Sequence, residues 1–266
     1  MEILCLNCWG GTLHQELLSY LSEKRPDVLC LQEIVHTPAS KKETLVYRDG
    51  DHVLDQRANL FREILTALPE YSGVFCPAAQ GDLWDENIRI PSQWGLATLT
   101  KGTIPVVAQT QGFVHKDFSP FGYGTHPRSR SAHAIRIFDY QSERYICIAH
   151  MHGLRDLNGK GDTPERASQA KRFIALLNSI SHEGDLSVLC GDFNVEPNSE
   201  TLNILGSSGF TELVTTKTNR GTRNSYYKKS GKFADYMLVN DPSIVSSFEV
   251  VFHPEVSDHC PLALKI

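Results

Sequence analysis

A chain of 266 residues, 41% hydrophobic and 21% charged, is long enough to bury a substantial core without disulfides or a structural metal. Its formal net charge of -5 argues against a dedicated non-specific duplex binder, whose affinity comes from neutralising phosphates with Lys and Arg. No apolar run approaches the ~20 residues that span a bilayer, so insertion into a membrane as a helix is not expected.

The chain opens with a strand-like run, Ile3–Leu6. Thr12 stands three positions before Gln15, a capping-box pattern, and Leu13, Leu17, Leu18 and Leu21 give the following segment one apolar helical face, stopped by Arg25-Pro26. Val28–Leu31 is continuously apolar, as in a strand buried on both faces. Residues 36–58 read as a polar excursion, and Leu60, Phe61, Ile64, Leu65 and Leu68 as a second helix. Residues 76–94 read as an irregular acidic stretch. Gly95–Leu99 and Val106–Gln109 read as strands, and residues 113–131 as a Gly, Pro, His and Arg-rich loop.

Strands are then expected at 132–137 and Tyr145–Ala149. Thr163-Pro164 opens a helix with Thr as N-cap and Pro at its first position. Leu186–Cys190 is a buried strand and Thr201–Leu205 a short helix. Asp235–Val239, Phe248–Phe252 and Leu262–Ile266 are terminal strands. With no linker or repeat in view, residues 1–266 are expected to form one domain of two packed sheets with helices outside.

Cys30, Cys147 and Cys190, three of seven cysteines, sit inside apolar strands and read as small buried hydrophobes. Cys5 and Cys8 form a lone CxxC with no second pair, which argues against zinc. The N-terminal MEILCLNCWGG lacks the parts of a secretory signal. The expectation is a cytoplasmic protein, monomeric, beginning at or near Met1.

Polar residues recur at strand ends, where a rigid sheet delivers side chains to a site. Asn7 and Trp9 end the first strand, and Gln32 and Glu33 the second; a carboxylate just past a buried strand wants solvent, a partner or a hard cation. His150 and His152 share a face of one strand, so one is a candidate for catalysis and the other for packing. Asp192 and Asn194 in Gly191-Asp192-Phe193-Asn194 share a face just past the apolar run Ser187-Val188-Leu189-Cys190. Ser257-Asp258-His259 precedes the last strand. Asp258 and His259, as neighbours on an extended segment, point apart, which leaves Asp235 as the carboxylate to orient the His259 ring.

In this order the motifs NxW, LQE, HGL, GDFN, DYM and SDH resemble the endonuclease/exonuclease/phosphatase superfamily over essentially the whole chain. The resemblance implies a deoxyribonuclease I-like four-layer α/β sandwich, two mixed β-sheets flanked by helices. It implies Mg²⁺ or Mn²⁺ held by Glu33, with Asn7 close by and Asp258 as a second metal-side carboxylate. Asp192 would position and deprotonate the attacking water, Asn194 would hold the phosphate, and His152 and His259, the latter oriented by Asp235, would contact it. An acid among Asp82, Asp85 and Glu86 would orient His152, although Met151-His152-Gly153-Leu154 departs from the usual Thr-His-Leu. Arg128 and Arg130 are candidate phosphate grips.

The implied activity is a metal-dependent phosphodiesterase or nuclease. The acidic charge favours a single-stranded DNA or RNA substrate, or a small one, over duplex. Trp84, Trp94, Phe118, Phe121, Tyr123, Tyr226 and Tyr227 are candidates for stacking bases. The alternatives are a phosphomonoesterase, a small-molecule or sphingomyelinase-like lipid-headgroup phosphodiesterase, and a binding protein on a dead scaffold.

Overall fold

Period-two alternation in the first two strands divides the core. In β1 (Glu2–Asn7), Ile3 and Cys5 belong to the apolar cluster shared between the sheets, whereas Leu4 and Leu6 face the helices. The helices are α1 (His14–Lys24) and, further along, α2 (Leu60–Ala67). In β2 (Val28–His36), Val28 and Cys30 face inward and Leu29 and Leu31 outward. The computed structural model describes residues 1–50 and 52–266.

α1 ends at Arg25, whose φ of 44° is left-handed, just before Pro26. Thr12 does not cap it; its hydroxyl donates to the Trp9 carbonyl at 2.7 Å and closes a 3-10 turn. The polar excursion contains a hairpin, β3 (Thr44–Asp49) and β4 (His52–Arg57). The acidic stretch is no loop either. It forms the distal part of a long hairpin, β5 (Tyr71–Asp85) with β6 (Ile88–Lys101). Only one face is covered there, Ala79, Gly81 and Leu83 being buried in alternation, so the other face keeps its polar residues.

The chain continues through β7 (Val106–His115), β8 (Arg130–Asp139), β9 (Arg144–His152), α3 (Pro164–Asn178), β10 (Leu186–Asp192) and α4 (Glu200–Ser207). After β11 (Thr211–Glu212) and α5 (Val214–Lys217) come β12 (Asp235–Val239), β13 (Ser247–Val250) and β14 (Leu262–Lys265). Thr163 caps α3 as expected, its Oγ1 accepting from the Arg166 amide at 3.2 Å.

One sheet runs β13-β14-β1-β2-β6-β5-β3-β4 and the other β11-β12-β10-β9-β8-β7. They pack face to face, α1 and α2 cover the first, and α3 covers the second with Ala170, Phe173 and Leu177. This is the expected four-layer α/β sandwich. All seven cysteines are buried and free. Among the described residues no helix is long and apolar enough to cross a membrane.

Between the sheets lies a polar chain. The Thr98 hydroxyl meets His133 Nδ1 at 2.6 Å and His150 Nε2 at 2.7 Å, and Gln32 Nε2 reaches His150 Nδ1 at 3.2 Å. Gln32 donates to Nδ1, so His150 donates from Nε2 to Thr98, which donates in turn to His133. Burial pushes His133 down to about 4 and His150 well below its usual range, so both rings stay neutral. Thr98→Val keeps the shape but leaves two buried ring nitrogens unpaired. It should lower the unfolding free energy by about 3 kcal/mol in urea titrations; a change under about 0.5 kcal/mol would show that the chain contributes nothing.

Candidate active site

Parallel strands β1 and β2 of one sheet, and β9 and β10 of the other, end at the same edge of the sandwich. Pairing sets His152, Asp192 and Asp235 side by side across β9, β10 and β12, and Asn7 beside Gln32 across β1 and β2. The inward faces of both sheets therefore deliver polar side chains into one seam.

Neighbours on a regular strand face opposite sides. Glu33 escapes this through a bulge, where its φ is 54° and the β2–β6 register slips between Leu31 and Ile34. Gln32 thus reaches the buried polar chain while Glu33 Oε1 accepts from Asn7 Nδ2 at 3.1 Å. The same Nδ2 donates to Asp192 Oδ2 at 3.0 Å. Asn7 is itself fixed, since its Oδ1 accepts from the Trp9 amide at 3.0 Å and its carbonyl from Ser257 Oγ at 2.6 Å.

Gly191 allows β10 to deliver Asp192. Its φ is 139°, and a Cβ there would fall 2.1 Å from the Met151 carbonyl oxygen. Phe193, buried against Phe173 and Tyr236, anchors the turn, and Asn194 follows at φ 55° with its amide donating to Asp192 Oδ1 at 3.0 Å. Gly153 similarly has no room for a Cβ, which would sit 2.3 Å from the Phe193 oxygen. The close approach lets the Gly153 carbonyl accept from Arg130 Nε at 2.8 Å and Asn194 Nδ2 at 3.4 Å.

Asp192 Oδ2 is the hub. His259 Nε2 lies 3.6 Å away and His152 Nε2 3.7 Å. His259 Nδ1 is 2.8 Å from both oxygens of Asp235, whose carboxylate also accepts from Thr222 Oγ1 at 2.7 Å. Asp235 thus orients His259, in line with the facing argument. Burial, then Arg223, drives His259 down to about 4, and burial lifts Asp235 to about 6. At neutral pH the ring is uncharged, with its Nδ1 proton on Asp235 and Nε2 facing the cleft. Burial also holds His152 well below its usual range. His152 lies in the cleft; His150 belongs to the core network.

Some expectations fail. Asp82 lies 4.0 Å from Arg89, Asp85 3.4 Å from Lys42, and Glu86 occupies the β5–β6 turn. None of them orients His152: its Nδ1 is buried without a partner, and its ring packs 5.1 Å from that of Trp94. Arg128 is committed to Asp49 at 2.8 Å and to the Tyr47 hydroxyl. Arg130 instead faces the cleft beside Trp94 with Nη1 unpaired. Trp84 is stacked between Arg48 and Arg89 and lies outside the cleft, whereas Trp94, Tyr123, Tyr226 and Tyr227 line it.

The cleft encloses about 1030 Å³ and is also lined by Arg155, Lys160 and Arg223, loop residues that carry no periodic sequence signature.

Asp192, Asp235 and His259 bring ligand atoms within 4.8 Å of one another, but the ring and Asp235 are occupied by each other. Of the two carboxylates expected to hold a metal, Glu33 accepts from the neutral Asn7 amide and Asp258 is paired with Arg223. Burial, then Asp258, push Glu33 up to about 7, with Asp192 adding to the rise and Asn7 opposing it. Carboxylates crowded with too little positive charge are what a divalent cation would relieve, so these residues fit a metal. A carboxyl raised from 4.5 to about 7 costs folding nothing below 4.5 and its full penalty above about 7. Without divalent cations, Glu33→Gln should therefore melt above the parent at pH 8, the gap closing toward pH 5 in thermal scans. A gap independent of pH would show that Glu33 carries no such penalty.

The model of the Endonuclease/Exonuclease/phosphatase family matches residues 4–259. Among solved structures, a family protein from Leptotrichia buccalis is similar at 19% identity, covering 100% of this chain and 99% of its own, with TM-score 0.68. The human Nocturnin catalytic domain with bound sulfate is similar at 19% identity, 99% and 93% coverage and TM-score 0.66. A Bacteroides thetaiotaomicron mannosyl-6-phosphatase is similar at 13% identity, 100% and 98% coverage and TM-score 0.66. No curated protein matches by sequence. With its motifs converged in one cleft and the family model matched from the first strand to the last motif, the chain belongs to the endonuclease/exonuclease/phosphatase family.

Proposed function

We propose that the chain is a divalent-metal-dependent phosphodiesterase acting, as one catalytic domain, on single-stranded nucleic acid or a small phosphodiester. The observation that carries this reading is the convergence of Asn7, His152 and His259 on Asp192 Oδ2, within 3.0–3.7 Å, beside the crowded Glu33 carboxylate. Family membership supports phosphoester hydrolysis.

Glu33 and Asp258 would hold Mg²⁺ or Mn²⁺, which when bound supplies Lewis-acid neutralisation of phosphoryl charge. Asn7, donating to both Glu33 and Asp192, fixes the spacing between the cation-holding and water-activating carboxylates. Asp192 accepts the proton of the attacking water as its oxygen bonds to phosphorus and the bond to the leaving oxygen breaks. Asn194 and His152 hold the phosphoryl oxygens. His259 holds its Nδ1 proton on Asp235, which aims Nε2 at the phosphate and leaves that nitrogen free to carry a proton as charge develops.

The acidic net charge argues against extended duplex contact, and Arg130, Arg155 and Lys160 in the cleft lining support local grip of a phosphate. Trp9 and Tyr226, with ring centroids 5.9 Å apart, offer a stacking surface for a base.

The test is a hydrolysis screen with and without Mg²⁺ and Mn²⁺ over bis-p-nitrophenyl phosphate, p-nitrophenyl phosphate, single- and double-stranded DNA, RNA and sphingomyelin. Diester and single-strand cleavage should dominate. Asp192→Ala and His259→Ala should each lose on the order of 10³-fold or more in kcat while the variants still fold cooperatively. Preference for the monoester or for sphingomyelin would replace the proposed substrate class. Near-native turnover in either variant would remove that residue from the mechanism.

A further inference from the structure

We propose that Arg223 is the cationic contact to the scissile phosphate, beside the rings of His152 and His259. The inference rests on the phosphoester hydrolase reading and adds a residue that no motif marks. Arg223 lies on the loop before β12 with only 10% of its side chain exposed, between the Asp192 and Asp258 carboxylates. Nη1 pairs with Asp258. Nη2 stops 3.8 Å from Asp192 Oδ2, the oxygen that His259 Nε2 approaches to 3.6 Å and His152 Nε2 to 3.7 Å.

The 3.8 Å from Nη2 exceeds hydrogen-bond length, so this donor faces the carboxylate oxygen without being satisfied by it, beside the neutral rings of His152 and His259. That spacing suits a phosphoryl oxygen placed among them. Nε is buried with no partner, a cost that a bound anion would repay, and Arg223 lines the cleft. The guanidinium keeps its charge at every working pH and its fork matches phosphate.

The side chain is also held in place. Its guanidinium lies 4.6 Å from the Tyr227 ring centroid, and its amide donates to the Lys232 carbonyl at 3.0 Å. A backbone bridge joins Arg223 to His259, so the two phosphate contacts share one support.

A phosphate-contacting guanidinium and a scaffolding one differ in sign. The charge attracts phosphate but repels a cation held by Glu33 and Asp258. Arg223→Gln should lower kcat on bis-p-nitrophenyl phosphate by about 10²–10³-fold. It should raise the inhibition constant of inorganic phosphate about tenfold, while Mn²⁺ titrated calorimetrically into metal-free protein binds about three- to tenfold more tightly. Arg223→Lys should restore phosphate inhibition to within a few-fold of the parent and recover part of kcat. A kcat within threefold of the parent, an unchanged phosphate constant, or weaker Mn²⁺ binding with a lowered melting temperature would overturn the proposal. If Arg223→Gln does not fold, Arg223→Lys decides: parental kcat would sink it, and reduced kcat with near-parental phosphate inhibition supports it. If the parent hydrolyses nothing, the parent reading fails; Arg223 is then judged on phosphate alone, which must raise the melting temperature of the parent more than that of the variant.

Discussion

A single amide ties the two halves of the site together. Asn7 Nδ2 donates to Glu33, on a neighbouring strand of its own sheet, and to Asp192, on the facing sheet. The two acceptors belong to sheets that share no backbone hydrogen bonds, so their separation depends on how the sheets pack. Ile3, Cys5, Val28 and Cys30 on one side and Ile148, Val188 and Cys190 on the other set that packing, and interiors this dense transmit small changes. The distance between the Glu33 and Asp192 carboxylates is therefore a property of the core, read out at its edge.

The polar chain of Gln32, Thr98, His133 and His150 acts at the next layer down. Gln32 immediately precedes Glu33 at the bulge, so its bond to His150 pins the strand on the core side while Asn7 pins it on the cleft side. Buried networks of this kind require every member to be paired, which restricts the sheets to one relative register. The bulge needs that restraint, because a non-glycine residue at positive φ is held only when its surroundings over-determine it.

Much of this was legible in the sequence because the chemistry sits where apolar runs stop. Leu186–Cys190 and Val28–Leu31 announce their strands, and the polar residues just beyond them are the ones that meet in the cleft. The choice between His150 and His152 was not legible, since both share a face; depth along the strand decides, and depth is set by the other sheet. The β3–β4 and β5–β6 hairpins were missed because their polar composition resembles loop when burial is the only cue. Asp82, Asp85 and Glu86 lie toward the turn of that long hairpin, beyond Trp94, the residue whose ring packs on His152. Arg223 left no trace because a loop residue has no period and no apolar run leading into it.

Trp94 packs against His152 and Arg130, Trp9 stands at the cleft mouth beside Tyr226, and only Trp84 lies outside the cleft. Two of the three indoles thus sit within the volume a substrate would fill. The two cleft indoles would make tryptophan emission a label-free readout of occupancy, one that needs no turnover and so extends to weakly bound or unreactive phosphoesters.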